Sequence, residues 1–438
     1  MHFSSLLAVA ALTTLASAAP VADNLRDLTY GDRTAYASAW NAGHAPPQQS
    51  YYPAPGGQGG YPPPPPPPSG GNNQPSPGNN GPGSPPPDNS QGIPAPPKQA
   101  SDKPFALDNG FPTVPNPSDA LTKINLAARG TLSNAPPPAN PPSAQTLTSL
   151  KLIAFNELFE TFYFTELLKN VTEGVKGYGF QDQALKKKVI DTLVAVQAQE
   201  QLHALNANNA LNRFNAGPIK ACQYDAPVDN FIDAIKLAST FTDVVLGTLA
   251  DVSVVAGQNG DAGNIRGFTA SLGQEGEQNG FYRDLLGKIP SALPFLTASL
   301  RDFAFSALNQ NFVVKGSCPN IDTIDLKIFG TLTLETPGDI QPKDQNLDFS
   351  FPSGQNQGSG KLSLVYINQQ NVPVVQPIQQ LTAKGPDGKI RFSSPLPYTK
   401  NLMNGLTIAA VVDGEGPFPN ITSVGAKTLF GPALIEIN

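Results

Sequence analysis

The segment Glu200-Gln201-Leu202-His203 places a carboxylate and an imidazole one helical turn apart. Apolar positions 189, 193 and 196 lead into it at alternating spacings of four and three. Glu200 and His203 therefore lie on the face that a helix turns towards its neighbours. Burying such groups costs free energy unless they are paired or bind a metal. Helical proteins that hold two metal ions use Glu-x-x-His for this purpose.

Four long amphipathic segments are predicted to position these groups. The first follows an N-cap at Ser143 or Thr146, and the others cover about residues 181–213, 228–255 and 264–288. A short fifth helix is expected over about residues 296–308. The side chains projected inward are Glu157 and Glu160, Glu200 and His203, Thr242, Glu275 and Gln278. Helices of this length with modest connections predict a four-helix bundle.

The inward side chains predict metal ligands, which are Glu157, Glu160, Glu200, His203 and Glu275. A two-metal carboxylate site needs a second Glu-x-x-His. Gln278 stands where its histidine would be, and the other two histidines of the chain, at positions 2 and 44, lie outside the predicted fold.

Three interpretations follow for this cluster. Glu200 and His203 form a buried hydrogen-bonded pair, joined by Glu157, Gln278 and Tyr163 or Tyr282. Alternatively, a single divalent ion, iron or another metal, is held by Glu157, Glu200, His203 and Glu275. A working two-iron oxidase is the third. The sequence favours the first over the second, and the third least.

Three segments carry a resemblance to a known family. They are FNELFETFYF at 155–164, QEQLHA at 199–204 and QEGEQ at 274–278. Together they resemble the ferritin-like domain of secreted fungal proteins of the stress-response and late-sexual-development type, over roughly residues 111–334. The resemblance implies a ferritin-like bundle, with Glu157 or Glu160, Glu200, His203 and Glu275 at metal-ligand positions. Gln278 and Thr242 depart from the pattern.

The N-terminal third of the chain has a different composition. An apolar run ending in Ala16-Ser17-Ala18 predicts a signal peptide over residues 1–19. Residues 20–142 are rich in Pro, Gly, Asn, Ser and Gln, which predicts a disordered stalk. Its segment Phe105 to Arg129 is less biased and is expected to pack on the domain that follows. The helical domain is assigned to residues 143–318.

Beyond Cys318 the apolar period changes from helical to two. Alternating segments occur at 325–328, 331–334, 348–351, 361–364 and 389–392, and a continuous apolar run covers 406–412. This pattern predicts a small antiparallel β-sandwich over residues 319–438. Tyr366 and Tyr398, if exposed there, could stack on a sugar, although scattered tyrosines more often pack or have no binding role.

Several features predict export. Asn170 and Asn420 begin glycosylation sequons. Cys222 and Cys318 are the sole cysteines, and in an oxidising compartment they predict one disulfide, against the alternative of two buried thiols. We expect no stretch after the signal peptide to be long and apolar enough to span a bilayer. We therefore expect a secreted, extracellular or cell-wall protein.

Charge and motifs exclude several classes of function. The net charge is −6 without a basic cluster, which gives no support for nucleic-acid binding. No phosphate loop or dinucleotide fingerprint occurs, and no nucleophile elbow accompanies His203. We therefore assign no catalytic residues and leave enzymatic activity open, with a non-enzyme favoured.

Two functions remain from the sequence. The favoured one is a non-catalytic surface or structural protein with a degenerate metal site, linked to stress response or development. Its candidate partners are cell-wall components. In this hypothesis the stalk acts as a spacer that keeps the folded modules away from the wall. The alternative is a protein that binds a metal and acts in oxidative or metal stress.

Overall fold

The computed structural model describes residues 103–438, except 137, 355–357, 359 and 383. The predicted signal peptide and most of the predicted stalk lie outside these residues. The described part combines eight α-helices with two small antiparallel sheets. Helices come first along the chain and most strands follow, so the change of apolar period seen in the sequence marks a real change of structure.

Six helices precede the strands. They are α1 (Asp119–Ala128), α2 (Ala144–Glu173), α3 (Gln183–Arg213), α4 (Phe231–Gln258), α5 (Ala262–Leu285) and α6 (Arg301–Asn311). The long helices α2 to α5 share one buried core with many aromatic side chains, among them Phe159, Phe164 and Phe241. Phe241 lies within 6 Å of the rings of both others, measured between centroids.

Polar side chains set where the long helices begin. Ser143 accepts a hydrogen bond from the backbone N–H of Thr146, which makes Ser143 the N-cap of α2. Asp182 and Asn230 cap α3 and α4 in the same way. Gly174 ends α2 with φ of 66°, a left-handed conformation that glycine adopts without steric cost.

The segment before α2 belongs to the folded part from residue 103 onward. Phe111, Leu121 and Ile124 are buried in the helical core, and α1 packs on α3. Residues 105–129 therefore pack on the helical domain, as expected for this segment. The assignment of residues 20–142 to a disordered stalk does not describe it. Its apolar side chains occur at helical spacing, which the bulk composition of the stalk conceals.

Seven strands form the two sheets of the described chain. They are β1 (Thr333–Leu334), β2 (Gln345–Pro352), β3 (Leu362–Asn368), β4 (Val374–Pro377), β5 (Lys389–Leu396), β6 (Gly405–Asp413) and β7 (Thr428–Ile437). One sheet has the order β1-β2-β5 and the other β4-β3-β6-β7. Phe349 and Phe351 of the first sheet contact Tyr366 and Phe430 of the second, so the sheets pack face to face.

The second sheet is covered on both faces. Alternate residues of β3 and β6 point either to the sheet–sheet core or to a separate core shared with helices. Phe303 of α6 and Val424 of the short helix α8 (Ile421–Lys427) contribute to that second core. A single-turn helix, α7 (Tyr398–Asn401), precedes β6. Strands β3 and β6 consequently lack an exposed face, which explains their continuous apolar runs.

Two local expectations were wrong, and the start of the short fifth helix differs from the expected one. Residues 325–328 are not a strand, because backbone groups of Lys327 and Phe329 pair with the side chains of Asp302 and Ser306 on α6. The fifth helix is present but begins at Arg301, since the backbone N–H of Ala298 before it donates to the backbone oxygen of Gln369, just after β3. Tyr366 is fully buried in the sandwich core.

Helix α4 is long and apolar enough to cross a membrane by length and composition, with a mean hydropathy of 1.4. The expectation that no later stretch meets that description is therefore wrong for α4. In this fold 67% of its most apolar stretch is buried among the other elements, as in the core helix of a soluble domain. The absence of a transmembrane segment stays a prediction.

Candidate metal centre

Three long helices each contribute one pair of polar side chains spaced by three residues. The pairs are Glu157 and Glu160 on α2, Glu200 and His203 on α3, and Glu275 and Gln278 on α5. A spacing of three places both members on one face of a helix. All the carboxylates are buried, and the His203 side chain is 16% exposed. The structure thus brings the predicted ligands together between the helices.

The Nδ1 atom of His203 lies among three carboxylates. It is 3.0 Å from Oε2 of Glu200, 3.4 Å from Oε2 of Glu157 and 3.5 Å from Oε1 of Glu275. One ring N–H donates well to a single acceptor, and the contact with Glu200 is the hydrogen bond. The other two carboxylates approach the same atom without a hydrogen bond to it.

Several buried oxygens of this cluster accept no hydrogen bond from any described residue. They are Oε2 of Glu157, both oxygens of Glu160 and both oxygens of Glu275. Burying an ionised carboxylate without partners costs far more free energy than burying a neutral polar group. A cation placed among them would supply the missing interactions.

Burial and mutual repulsion shift the acid–base equilibria of the cluster. Burial raises the pKa of Glu275 to about 7, with Glu200 adding to the shift and His203 opposing it. Burial likewise raises the pKa values of Glu157 and Glu160 well above their usual range. For His203, burial lowers the pKa, but Glu157 and Glu200 outweigh it and raise the pKa well above 6.5. Burial thus disfavours the ionised form of these carboxyl groups unless a positive charge lies nearby.

Four atoms of the cluster match the donor spacing of a metal site. One ligand atom each from Glu157, Glu200, His203 and Glu275 lies within 4.8 Å of the other three. Ligands about 2.1 Å from a tetrahedral ion stand about 3.4 Å apart, close to the separations measured from His203 Nδ1. Three carboxylates and one imidazole suit manganese, iron or zinc. Both cysteines are in the disulfide, so neither offers a thiolate.

Glu160 lies beside this set of four and outside it. Its carboxyl group is fully buried, and after burial itself the groups that raise its pKa most are Glu275 and Glu200. Among the five predicted ligands, Glu160 is therefore the one that the geometry separates from the others.

Gln278 acts as a hydrogen-bond donor in the cluster. Its Nε2 lies 2.6 Å from Oε1 of Glu200 and 3.3 Å from Oε1 of Gln199. The Tyr282 hydroxyl donates to Oε1 of Gln278 at 3.4 Å. Of the two tyrosines considered from sequence, Tyr282 thus joins the network, whereas Tyr163 donates to the backbone oxygen of Ala234.

Helix α4 contributes Thr242, as its place on the apolar seam predicts. Thr242 is fully buried, and its hydroxyl has no hydrogen-bond partner within residues 103–438 as described. Sequence reasoning missed a second buried group next to it, in which Asp243 lies near Arg283, Lys288 and Glu436. An acidic residue within the apolar run of α4 was the available signal, and its partners come from distant parts of the chain.

The remaining predicted sites have mixed surroundings. Cys222 and Cys318 form a disulfide, which confirms their pairing. Asn420 is exposed at the N-terminus of α8, where its side chain accepts a hydrogen bond from Ser423. Asn170 is half-buried in the last turn of α2. Glycosylation of both stays a prediction.

Comparison with known proteins does not place the chain in a family. A scan against protein-family models finds no match. A search of curated proteins finds no similar sequence. Function must therefore be argued from the cluster around His203.

Proposed function

We propose that this protein is a secreted, ferritin-like metal-binding protein whose helical module holds one divalent ion. Glu157, Glu200, His203 and Glu275 are the ligands, and manganese, iron and zinc are the candidate ions. The observation that carries the proposal is a single nitrogen, His203 Nδ1, within 3.5 Å of three carboxylates. Two of these carboxylate oxygens have no hydrogen bond from a described residue.

A metal-free network explains this arrangement less well. Such a network accounts for Glu200, whose oxygens accept from Gln278 and His203. It leaves Glu275 without any hydrogen bond in the part of the chain that the structure describes. Native proteins seldom leave buried polar atoms unpaired. For this reason we prefer a site that binds a metal ion to a hydrogen-bonded cluster that holds none.

A role outside the cell agrees with the disulfide, since disulfides persist in oxidising compartments. The resemblance to secreted fungal ferritin-like proteins supports the same assignment and links it to stress response or development. We therefore propose a binding role for the protein, with cell-wall components as its candidate partners.

Calorimetric titration of chelator-treated protein with Mn²⁺, Fe²⁺ under nitrogen, or Zn²⁺ tests the proposal. At least one ion should bind with a stoichiometry near one. Glu275→Gln removes a ligand charge and should weaken binding at least tenfold.

Glu277→Gln is the matched control. Glu277 lies two residues away on the same helix and is exposed. Its replacement by glutamine removes the same charge. Its affinity should stay near that of the unmodified protein. Equal losses in both variants would show that the ion binds through general charge, and no binding of any of the three ions would refute the proposal.

A further inference from the structure

Gln278 occupies the position where a two-metal site would have its second nitrogen ligand, and its amide has a defined direction. We propose that Gln278 is a positioning residue that donates to Glu200 and limits the centre to one ion. This inference rests on the metal binding proposed above, and it concerns the stoichiometry of that site.

A chain of amide hydrogen bonds fixes the direction of Gln278. It starts at the backbone oxygen of Ala128, the last residue of α1, which accepts from Nε2 of Gln199 at 3.3 Å. This contact turns Oε1 of Gln199 towards α5. There it accepts from Nε2 of Gln274 at 2.9 Å and from Nε2 of Gln278 at 3.3 Å.

The opposite orientation of the Gln278 amide is unfavourable. A flip would place its Oε1 against Oε1 of Glu200 and Oε1 of Gln199, so that three hydrogen-bond acceptors would meet. The same flip would turn the amide nitrogen towards the Tyr282 hydroxyl, which now donates to Oε1. Gln278 therefore presents N–H groups to the cluster, and an amide N–H cannot bind a cation.

The consequence falls on Glu200. Its Oε1 is 2.6 Å from the Gln278 amide nitrogen, while its Oε2 faces His203 Nδ1 at 3.0 Å. The oxygen through which Glu200 would bridge to a second ion is thus engaged by a hydrogen bond. The same bond holds Oε2 towards the proposed ion, which is how groups behind a metal ligand commonly orient it.

Titration with Mn²⁺ of the full secreted chain and three variants tests this role. Gln278→Leu removes the donor and should weaken binding about tenfold to a hundredfold with the stoichiometry still near one. Gln278→Glu replaces the donor by a ligand oxygen and should raise the stoichiometry towards two. Gln258→Leu is the control, because Gln258 is exposed at the end of α4 and lies outside this hydrogen-bond chain, and its affinity should change less than threefold.

Each outcome decides one of the two proposals. If the unmodified protein binds no Mn²⁺, Fe²⁺ or Zn²⁺, the metal centre itself is refuted and this inference with it. If it binds two ions, the metal centre stands and the limit to one ion is wrong. If it binds one ion and neither Gln278 variant changes affinity or stoichiometry, Gln278 has a purely structural role. Thermal unfolding of the metal-free variants separates loss of binding from loss of fold.

Discussion

At the scale of single residues, the chemistry of this protein depends on how buried charge is compensated. Glu157, Glu200 and Glu275 converge on one nitrogen of His203, and hydrogen bonds satisfy Glu200 alone among the three. The sequence predicted these residues because each lies on the apolar face of its helix. It could not predict the direction of the Gln278 amide, which depends on a contact between Gln199 and α1.

Glu160 provides a prediction that separates the ligands from their neighbours. Its oxygens lie outside the four-atom set, and burial raises the pKa of its carboxyl group well above the usual range. Glu160→Gln should therefore retain one bound ion, with an affinity within about threefold of the original. Titration with Mn²⁺ measures this, and loss of binding on the scale of Glu275→Gln would instead make Glu160 a ligand.

Glu436 predicts a pH dependence of stability away from the metal centre. Burial and, to a smaller extent, the nearby Asp243 on α4 raise its pKa to about 8, against the opposing effect of Lys288 and Arg283. The folded protein then keeps a proton that the unfolded chain releases above its ordinary value of 4.5. This group's contribution to stability is therefore complete below about pH 4.5 and is lost as the pH rises towards 8.

Urea denaturation of metal-free protein between pH 5 and pH 8 measures this effect. Glu436→Gln cannot ionise and should reduce the decline in unfolding free energy as the pH rises. Glu415→Gln is the control, since Glu415 is exposed and pairs with Lys361 at the surface. An identical decline in the original protein and in Glu436→Gln would contradict the assignment.

At the scale of elements, the helices were more predictable than the strands. The helical period and the N-caps located α2 to α5 within a few residues, because local signals determine both. Strand β4 has only four residues and shows no alternating pattern. Most of β7 shows none either, since β7 is buried on much of both faces. Residues 325–328 alternate but pair with side chains of α6, and no local signal distinguishes such pairing from a strand.

Gly247 on α4 lies close to the segment that leads into α6. A Cβ added there would overlap the backbone oxygen of Thr297 and lie 2.8 Å from the backbone nitrogen of Ser299. Because both obstacles are backbone atoms, Gly247→Ala should destabilise the protein by about 1–3 kcal/mol.

Gly267→Ala is the matched control for that substitution. Gly267 is exposed on α5, and a Cβ there meets no atom within 4 Å. Alanine should stabilise this helix by up to about 1 kcal/mol, because it is the better helix former. Urea denaturation measures both changes, and a neutral Gly247→Ala would show that the close approach relaxes at little cost.

At the scale of the whole molecule, the helical and β parts share buried surfaces. The outer face of the second sheet packs against α6, α8 and Val244 of α4. The sequence predicted a helical part followed by a β part, but it could not predict this common core. Contacts between residues far apart in the chain create that core. Composition and the spacing of apolar residues do not predict such contacts.

The disulfide closes much of the helical part into one loop. Cys222 and Cys318 are 96 residues apart, and their neighbouring backbones also hydrogen-bond to each other, as between Val314 and Gln223. Replacing both cysteines with serine should lower the unfolding free energy by about 4–5 kcal/mol in the chain-entropy model. Urea denaturation tests this, with the oxidised and reduced original protein as references. An unchanged midpoint in the double variant would contradict it.

The metal content of the protein tests the central claim most directly. Protein purified from its secretory route should contain about one equivalent of manganese, iron or zinc by elemental analysis. Glu200→Ala should contain none, provided that its circular dichroism matches that of the original protein. A trace of metal that is the same in both proteins would contradict the account and leave a buried carboxylate cluster without a metal.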